Sequence, residues 1–173
     1  MLSIKENAKQ PLLININGAK RIGVTTACQR VARCLNEQGI ITDVVMIERG
    51  IDAVTFEDDY LLDKYKHLDV ILFDKHRNTD SAVKRRLIQP LWFDDSVKPS
   101  LSVLLSCHSA VYKRFIRHNE SKVNALAQHE AYLSCAKEHY GTSNHHVIDI
   151  DGKHGQLYAA GTIKSLILRE LKR

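Results

Sequence analysis

The sequence lacks any long apolar run, because charged or polar residues interrupt every stretch before it reaches the about 18 apolar residues of a membrane helix. The N-terminal segment MLSIKENAKQPLLININ carries a glutamate and several polar residues before its first apolar run. This order does not fit a secretory signal. We therefore expect a soluble, cytoplasmic protein with no membrane partner.

Cysteine pairs with metal-binding spacing are also missing. Cys28, Cys34, Cys107 and Cys135 are widely spaced, and none forms a CxxC pair. None of the nine histidines has HxxxH spacing with a carboxylate partner, and Cys135 with His139 is an isolated pair. We therefore predict four reduced cysteines and no zinc site.

Proline is scarce, with 3 among 173 residues, and no linker or internal repeat is visible. The length suits a single domain, 1–173, and 44% apolar with 26% charged residues is an ordinary globular composition. The net charge of +5 favours an anionic partner such as a nucleotide. Nucleic acid is not favoured, since the basic run 84–86 is more typical of a solvated helix face. A homodimer stays open.

Five short apolar runs alternate with segments of helical periodicity. This alternation predicts an α/β fold, a five-stranded parallel sheet with helices on both faces. The predicted strands are 11–17, 40–47, 68–73, 101–105 and 146–150, and the predicted helices are 26–38, 56–66, 79–93, 109–118, 121–140 and 155–172. In such folds ligands bind outside the carboxyl ends of the strands.

The loop after the first strand has the form of a phosphate-binding loop. Gly18 and Gly23 have the GxxxxG spacing, and Thr25, followed by Thr26, stands where the magnesium-binding hydroxyl belongs. Backbone N–H groups and a helix N-terminus attract phosphate without any side chain. The loop therefore predicts binding of a phosphate group, with Mg²⁺ at Thr25.

The lysine of this motif is absent, and Val24 occupies its place. That lysine normally neutralises charge on the transferred phosphates. Lys20 and Arg21 lie inside the loop and could supply a cation from another direction. Whether the loop supports transfer or only binding therefore stays open.

Around this loop the sequence resembles the thymidylate kinase family of nucleoside monophosphate kinases. The similarity covers most of the chain. It is carried by the segments INGAKRIGVTTACQRVARCLNEQGI, MIERG, ILFDKH, PSLSVLLSCHSAVYKRFIR, EAYL and VIDIDG.

The resemblance implies a P-loop kinase-like three-layer sandwich with a short lid. It also implies transfer of the γ-phosphoryl group of ATP, with Mg²⁺, to a nucleoside or deoxynucleoside monophosphate. Asp74 would then hold the metal with Thr25, or accept a proton from the acceptor. Arg114 and Arg117, three residues apart on one predicted helix face, would serve as lid cations.

The acceptor site implied by the resemblance follows the second and third strands. Glu48 and Arg49 correspond to the family's Arg-Glu-Pro-Gly loop, and Lys75 with Arg77 to its Asp-Arg pair. Two alternatives to an active monophosphate kinase stay open. One is a P-loop nucleotide-binding protein that has lost turnover, and the other is a kinase-fold enzyme acting on a modified nucleotide or a nucleic-acid base.

Overall fold

The strands of the sheet alternate with helices along the chain. A computed structural model describes residues 10–46, 64–74, 100–138, 145–152 and 154–173. The strands are β1 (Leu12–Gly18), β2 (Thr42–Met46), β3 (Val70–Asp74), β4 (Leu101–Ser106) and β5 (His145–Asp149). The helices of the described ranges are α1 (Val24–Asn36), α2 (Ser109–Tyr112), α3 (Lys122–Glu138) and α4 (Gly155–Glu170).

The five strands form one sheet in the order β2-β3-β1-β4-β5, and every pairing between them is parallel. All residues of β3 and β4 are buried, as continuously apolar strands covered on both faces must be. The prediction of an α/β P-loop-like sandwich with a five-stranded parallel sheet is confirmed. The order also makes β1 the central strand, so the loop that follows it leaves the middle of the sheet.

Helix α1 covers one face of the sheet because its apolar residues recur on one side. The six that are buried are Val24, Ala27, Cys28, Val31, Ala32 and Leu35. It packs against β1, β2, β3 and helix α4, whose buried residues include Ala159, Ile163 and Ile167. The β1–β2 connection through α1 and the β4–β5 connection through α3 run in opposite directions along the sheet. Because crossovers between parallel strands are right-handed as a rule, we expect α3 on the face opposite α1.

Several helix boundaries differ from the sequence prediction, and two of these differences lie next to the loop after β1. Helix α1 begins at Val24, two residues earlier than predicted, because Gly23 serves as its N-cap. Helix α2 ends at Tyr112, not at residue 118, and the chain continues in tighter turns in which the N–H of Arg114 donates to the Val111 carbonyl. The predicted helix 79–93, and all of 56–66 except its last three residues, lie outside the described residues.

The cysteine and membrane predictions are tested in part. Cys28, Cys34 and Cys107 are free thiols, as predicted, and the side chain of Cys135 lies outside the described part. Burial raises the pKa of Cys107 to about 11, so this thiol stays protonated at neutral pH. Across the described ranges, no helix combines the length and the apolarity needed to cross a membrane.

The buried side chains of Tyr112 and His129 stack on each other and connect helix α3 to the loop after β1. The His129 ring stacks on Tyr112 with centroids 4.4 Å apart, and its Nε2 donates to the Cys107 carbonyl at 2.9 Å. The Tyr112 hydroxyl in turn donates to the Lys20 carbonyl at 2.9 Å. The residue that follows β4, helix α3 and the loop after β1 are therefore held together by one chain of contacts.

This stack predicts acid sensitivity. Burial lowers the pKa of His129, so below the ordinary histidine pKa of about 6.5 the unfolded chain binds a proton that the folded chain does not. His129 therefore costs no stability above pH 6.5, and it destabilises the fold as the pH falls below that value. We expect the slope of the unfolding free energy against pH, between pH 6.5 and 5, to be smaller in His129→Gln than in the wild type. The difference is at most about 1.4 kcal/mol per pH unit. Urea unfolding across this range measures it, and equal slopes would contradict the assignment.

Candidate functional site

The loop between β1 and α1 turns tightly over a buried isoleucine. Ile22 is fully buried, and its N–H donates to the Ala19 carbonyl at 3.1 Å. Arg21 and Gly23 have positive φ angles of 74° and 104°. A Cβ atom on Gly18 would lie 2.5 Å from Cγ2 of Ile22. Both glycines are therefore required, Gly18 by close packing and Gly23 by its backbone conformation.

The loop leaves a set of backbone donors without acceptors. Within the described part of the chain, the N–H groups of Arg21, Gly23, Val24, Thr25 and Thr26 make no hydrogen bond. The N–H of Lys20 has only a long contact, 3.4 Å, to Oε1 of Gln128. Backbone N–H groups in a turn where left-handed and right-handed residues alternate, followed by a helix N-terminus, are groups that bind phosphate oxygens.

Val24 closes the base of the loop. It is 3% exposed, and its Cγ2 lies 3.1 Å from the position that a Cβ of Gly18 would take. The place of the motif lysine is thus filled by a buried apolar side chain, and it brings no charge to the loop.

Thr25 and Asp74 meet beside this loop. The Thr25 hydroxyl donates to Oδ2 of Asp74 at 2.6 Å. Asp74 is 4% exposed, and its Oδ1 has no hydrogen-bond partner among the described residues. Register places Asp74 beside Ile16 of the central strand, so the carboxylate stands at the carboxyl edge of the sheet. The structure therefore brings together the two side chains predicted to hold a metal.

The two cations of the loop are already paired. Nζ of Lys20 lies 2.5 Å and Nη2 of Arg21 lies 3.2 Å from the same oxygen, Oε1 of Glu120. The other oxygen, Oε2, accepts the backbone N–H of Arg117 at 3.1 Å. The hydrogen bond from Lys20, then the Arg117 N–H and Arg21, lower the pKa of Glu120 to about 2. The glutamate is therefore ionised at neutral pH.

Two cavities flank the loop. The larger, about 770 Å³, lies beside the start of α4, and we name it the Arg114 cavity. Its polar and aromatic lining residues are Arg30, Arg114, Phe115, Asp151, His154 and Gln156. A Cβ on Gly23 would lie 2.6 Å from Nε2 of Gln156, so this cavity adjoins the first turn of α1.

The second cavity, about 460 Å³, lies between the loop and α3, and we name it the Glu120 cavity. Its polar lining residues are Lys20, Arg21, Glu120, Ser121, Asn124 and Gln128. Tyr112 and Ile116 also line it. Only Lys20 and Arg21 of this set were predicted as site residues. Glu120 and Gln128, like Gln156 of the Arg114 cavity, follow no motif and come to the loop through folding alone.

The predicted pair of lid arginines is not on one helix face. Helix α2 ends at Tyr112, which is held by its bond to the loop and its stack on His129, and both arginines follow it. Arg114 lines the Arg114 cavity, whereas the Arg117 N–H bonds Glu120 on the other side of the loop. The prediction of a shared helix face is therefore wrong.

The four predicted acceptor residues, Glu48, Arg49, Lys75 and Arg77, lie outside the described residues. Their roles stay predictions. No zinc-type cluster occurs where the structure can be read, since its described residues contain no group of three or more His, Cys, Asp or Glu side chains able to hold a metal.

No family model matches this chain, and no curated protein is significantly similar to it. The site must therefore be judged on its geometry.

The loop's packing gives a stability prediction. Gly18→Ala places a methyl group against Ile22, and we expect it to destabilise the fold by about 1–3 kcal/mol, as overpacking does. The matched control is Gly161→Ala in α4, where an added Cβ meets no atom within 4 Å. This exposed helical position should gain about 0.5–1 kcal/mol. Urea unfolding of the two variants measures the difference, and a neutral Gly18→Ala would contradict the tight turn.

Proposed function

We propose that this chain binds a nucleoside triphosphate with Mg²⁺ at the loop 18–25 and transfers its γ-phosphoryl group to a nucleoside or deoxynucleoside monophosphate. The observation that carries the proposal is the 2.6 Å hydrogen bond between Thr25 and Asp74, made beside a turn whose backbone N–H groups have few acceptors among the described residues. A threonine after a glycine loop and an aspartate at a neighbouring strand end are the side chains by which P-loop proteins hold magnesium.

The donor set fits a magnesium ion bound to phosphate. Magnesium prefers oxygen ligands and keeps several waters, using one or two protein oxygens together with substrate phosphates. Thr25 offers a hydroxyl, and Asp74 offers an oxygen, Oδ1, with no partner among the described residues. When bound, magnesium neutralises charge on the β- and γ-phosphates. The residues present therefore suit the ion without any rearrangement of the sheet.

The Arg114 cavity supports a nucleoside as the remainder of the ligand. Its volume of about 770 Å³ lies within the usual range of small-molecule sites, about 300–1,000 Å³. Arg30 and Arg114 bring planar cations and Phe115 brings an aromatic ring, and both kinds of group stack on bases. The cavity adjoins Gly23, so a base placed there is continuous with phosphates on the loop.

Transfer needs cations near the reacting phosphates, because phosphoryl-transfer catalysis is mostly positioning and charge stabilisation. With Val24 buried, Lys20 and Arg21 are the cations that the loop itself offers, and Arg114 stands nearby in its cavity. The acceptor would be held by the segments after β2 and β3, where Glu48, Arg49, Lys75 and Arg77 are predicted. A nucleotide substrate also agrees with the expected cytoplasmic location.

A second candidate is nucleotide binding without transfer. It is favoured by the buried apolar side chain of Val24 and by the ion pairs that hold Lys20 and Arg21 on Glu120. Both candidates share the backbone donors and the Thr25–Asp74 pair. They differ in whether the cations reach the phosphates.

Magnesium dependence tests what the two candidates share. We expect Thr25→Val and Asp74→Asn each to remove most of the magnesium-dependent gain in ATP affinity, about tenfold or more, because each loses one metal-facing oxygen. Isothermal titration calorimetry with and without Mg²⁺ gives the readout. Asp43→Asn is the control, since Asp43 is exposed on β2 and bonds only the next N–H. An unchanged magnesium effect in both site variants would contradict the metal assignment.

Turnover separates the candidates. For the kinase, the Lys20→Ala/Arg21→Ala double variant should lower the transfer rate by about 100-fold or more, as loss of transition-state cations does. Val24→Lys should then add little, because its side chain starts from a buried position. Labelled ATP with a panel of nucleoside monophosphates measures both. A wild type without transfer, together with a gain in Val24→Lys, would favour the binding protein and overturn the kinase.

A further inference from the structure

Glu120 occupies the position of a bound anion. Its two oxygens accept hydrogen bonds from three donors, namely Lys20, Arg21 and the Arg117 backbone N–H. These partners come from two segments about a hundred residues apart in sequence. A carboxylate held by a lysine, an arginine and a backbone N–H has the same set of partners that a phosphoryl group takes.

Glu120 carries the only carboxylate among the described residues that line the Glu120 cavity. Its side chain is 15% exposed, against 37% for Lys20 and 34% for Arg21, so Glu120 is the most covered side chain of the three. Without Glu120 the cavity would carry two uncompensated positive charges at its mouth.

The cavity behind this carboxylate has room and hydrogen-bonding groups for a ligand. Its volume is about 460 Å³. Asn124 and Gln128 lie four residues apart on α3, so both amide groups stand on one face of that helix, and Ser121 adds a hydroxyl. These polar groups lie beside the cations, so a ligand bearing a phosphoryl group finds partners for both its charge and its neutral part.

We propose that the Glu120 cavity is an anion site for a phosphoryl group, and that Glu120 is its internal competitor, holding Lys20 and Arg21 until a phosphorylated ligand displaces it. The identification of that ligand as a nucleotide rests on the proposed function, whereas the anion site itself does not. Displacement would free the turn 113–121 from the loop, because the Glu120 contacts to Lys20 and Arg21 join the two.

The first test measures the affinity for inorganic pyrophosphate by calorimetry in the wild type and in Glu120→Gln. We expect the variant to bind at least about fivefold more tightly, because the apparent affinity equals the intrinsic affinity multiplied by the fraction of molecules in which the internal competitor has left the site. Glu37→Gln is the matched control, with the same change in net charge on an exposed pair with Arg33. A gain in Glu120→Gln alone supports the proposal. Equal affinity in wild type and Glu120→Gln, or equal gains in both variants, overturns it.

The second test uses the unaltered chain, so it does not depend on the folding of a variant. Pyrophosphate should accelerate hydrogen exchange by about threefold or more at the Glu120 N–H, which donates to the Arg117 carbonyl inside the turn 113–121 that displacement releases from the loop. Slowed or unchanged exchange at saturating pyrophosphate would show that Glu120 is a fixed brace and would overturn the proposal. Neither readout requires phosphoryl transfer, so an absence of kinase activity in the turnover assay leaves both results interpretable.

Discussion

The contact on which the site depends is the hydrogen bond from Thr25 to Asp74. It joins the first turn of α1 to the end of β3, across the loop that follows the central strand. Because β3 lies beside β1 in parallel register, Ile16 and Asp74 are neighbours. The Asp74 carboxylate therefore reaches Thr25, in the first turn of the helix that follows the loop. A shift of β3 by one residue would turn Asp74 to the other face. The sheet register therefore fixes the geometry of the predicted metal site.

The loop has the backbone of a phosphate-binding loop, but its positive charges stand at other positions than in that motif. The backbone keeps the glycine turn, the helix start and N–H groups that lack acceptors in the described part of the chain, while Val24 removes the cation that this motif normally places at the start of the helix. The positive charge is moved to Lys20 and Arg21, at the rim. Cations at the rim can pair with residues from other parts of the chain. Here Glu120, in the turn before α3, pairs with both Lys20 and Arg21.

The sequence was sufficient to predict the sheet, because the apolar runs of β1, β3 and β4 are buried strands and all five runs alternate with helical segments. It also predicted the loop, since glycine spacing and the strand–helix context are local properties. It could not predict Glu120, Gln128 or Gln156 as site residues. These are ordinary polar residues without a motif, and their position depends on how α3 and α4 pack.

The wrong prediction for Arg114 and Arg117 also depended on how distant parts of the chain pack together. Spacing of three residues indicated a common helix face for Arg114 and Arg117, and that inference requires a helix long enough to contain both. The side chain of Tyr112 is fixed by Lys20 and His129, and the chain beyond it tightens into turns. A tertiary contact therefore ends the helix, although nothing in the local sequence breaks it.

Lys20 combines a fixed backbone with an exchangeable side chain, and this separation makes displacement of Glu120 physically reasonable. Its carbonyl is held by Tyr112 at 2.9 Å, and its N–H faces Gln128, whereas its ammonium group is held by an ion pair. Partly exposed ion pairs contribute little net stability, because solvation of the separated charges nearly replaces the lost contact. Exchanging a carboxylate for a phosphoryl group at Lys20 thus leaves the backbone of the loop after β1 in place, while it releases the turn 113–121 that carries Glu120. A lysine side chain in place of Val24 would start from the buried interior of the loop. Cations at positions 20 and 21 instead make the affinity of the loop depend on where the turn 113–121 lies.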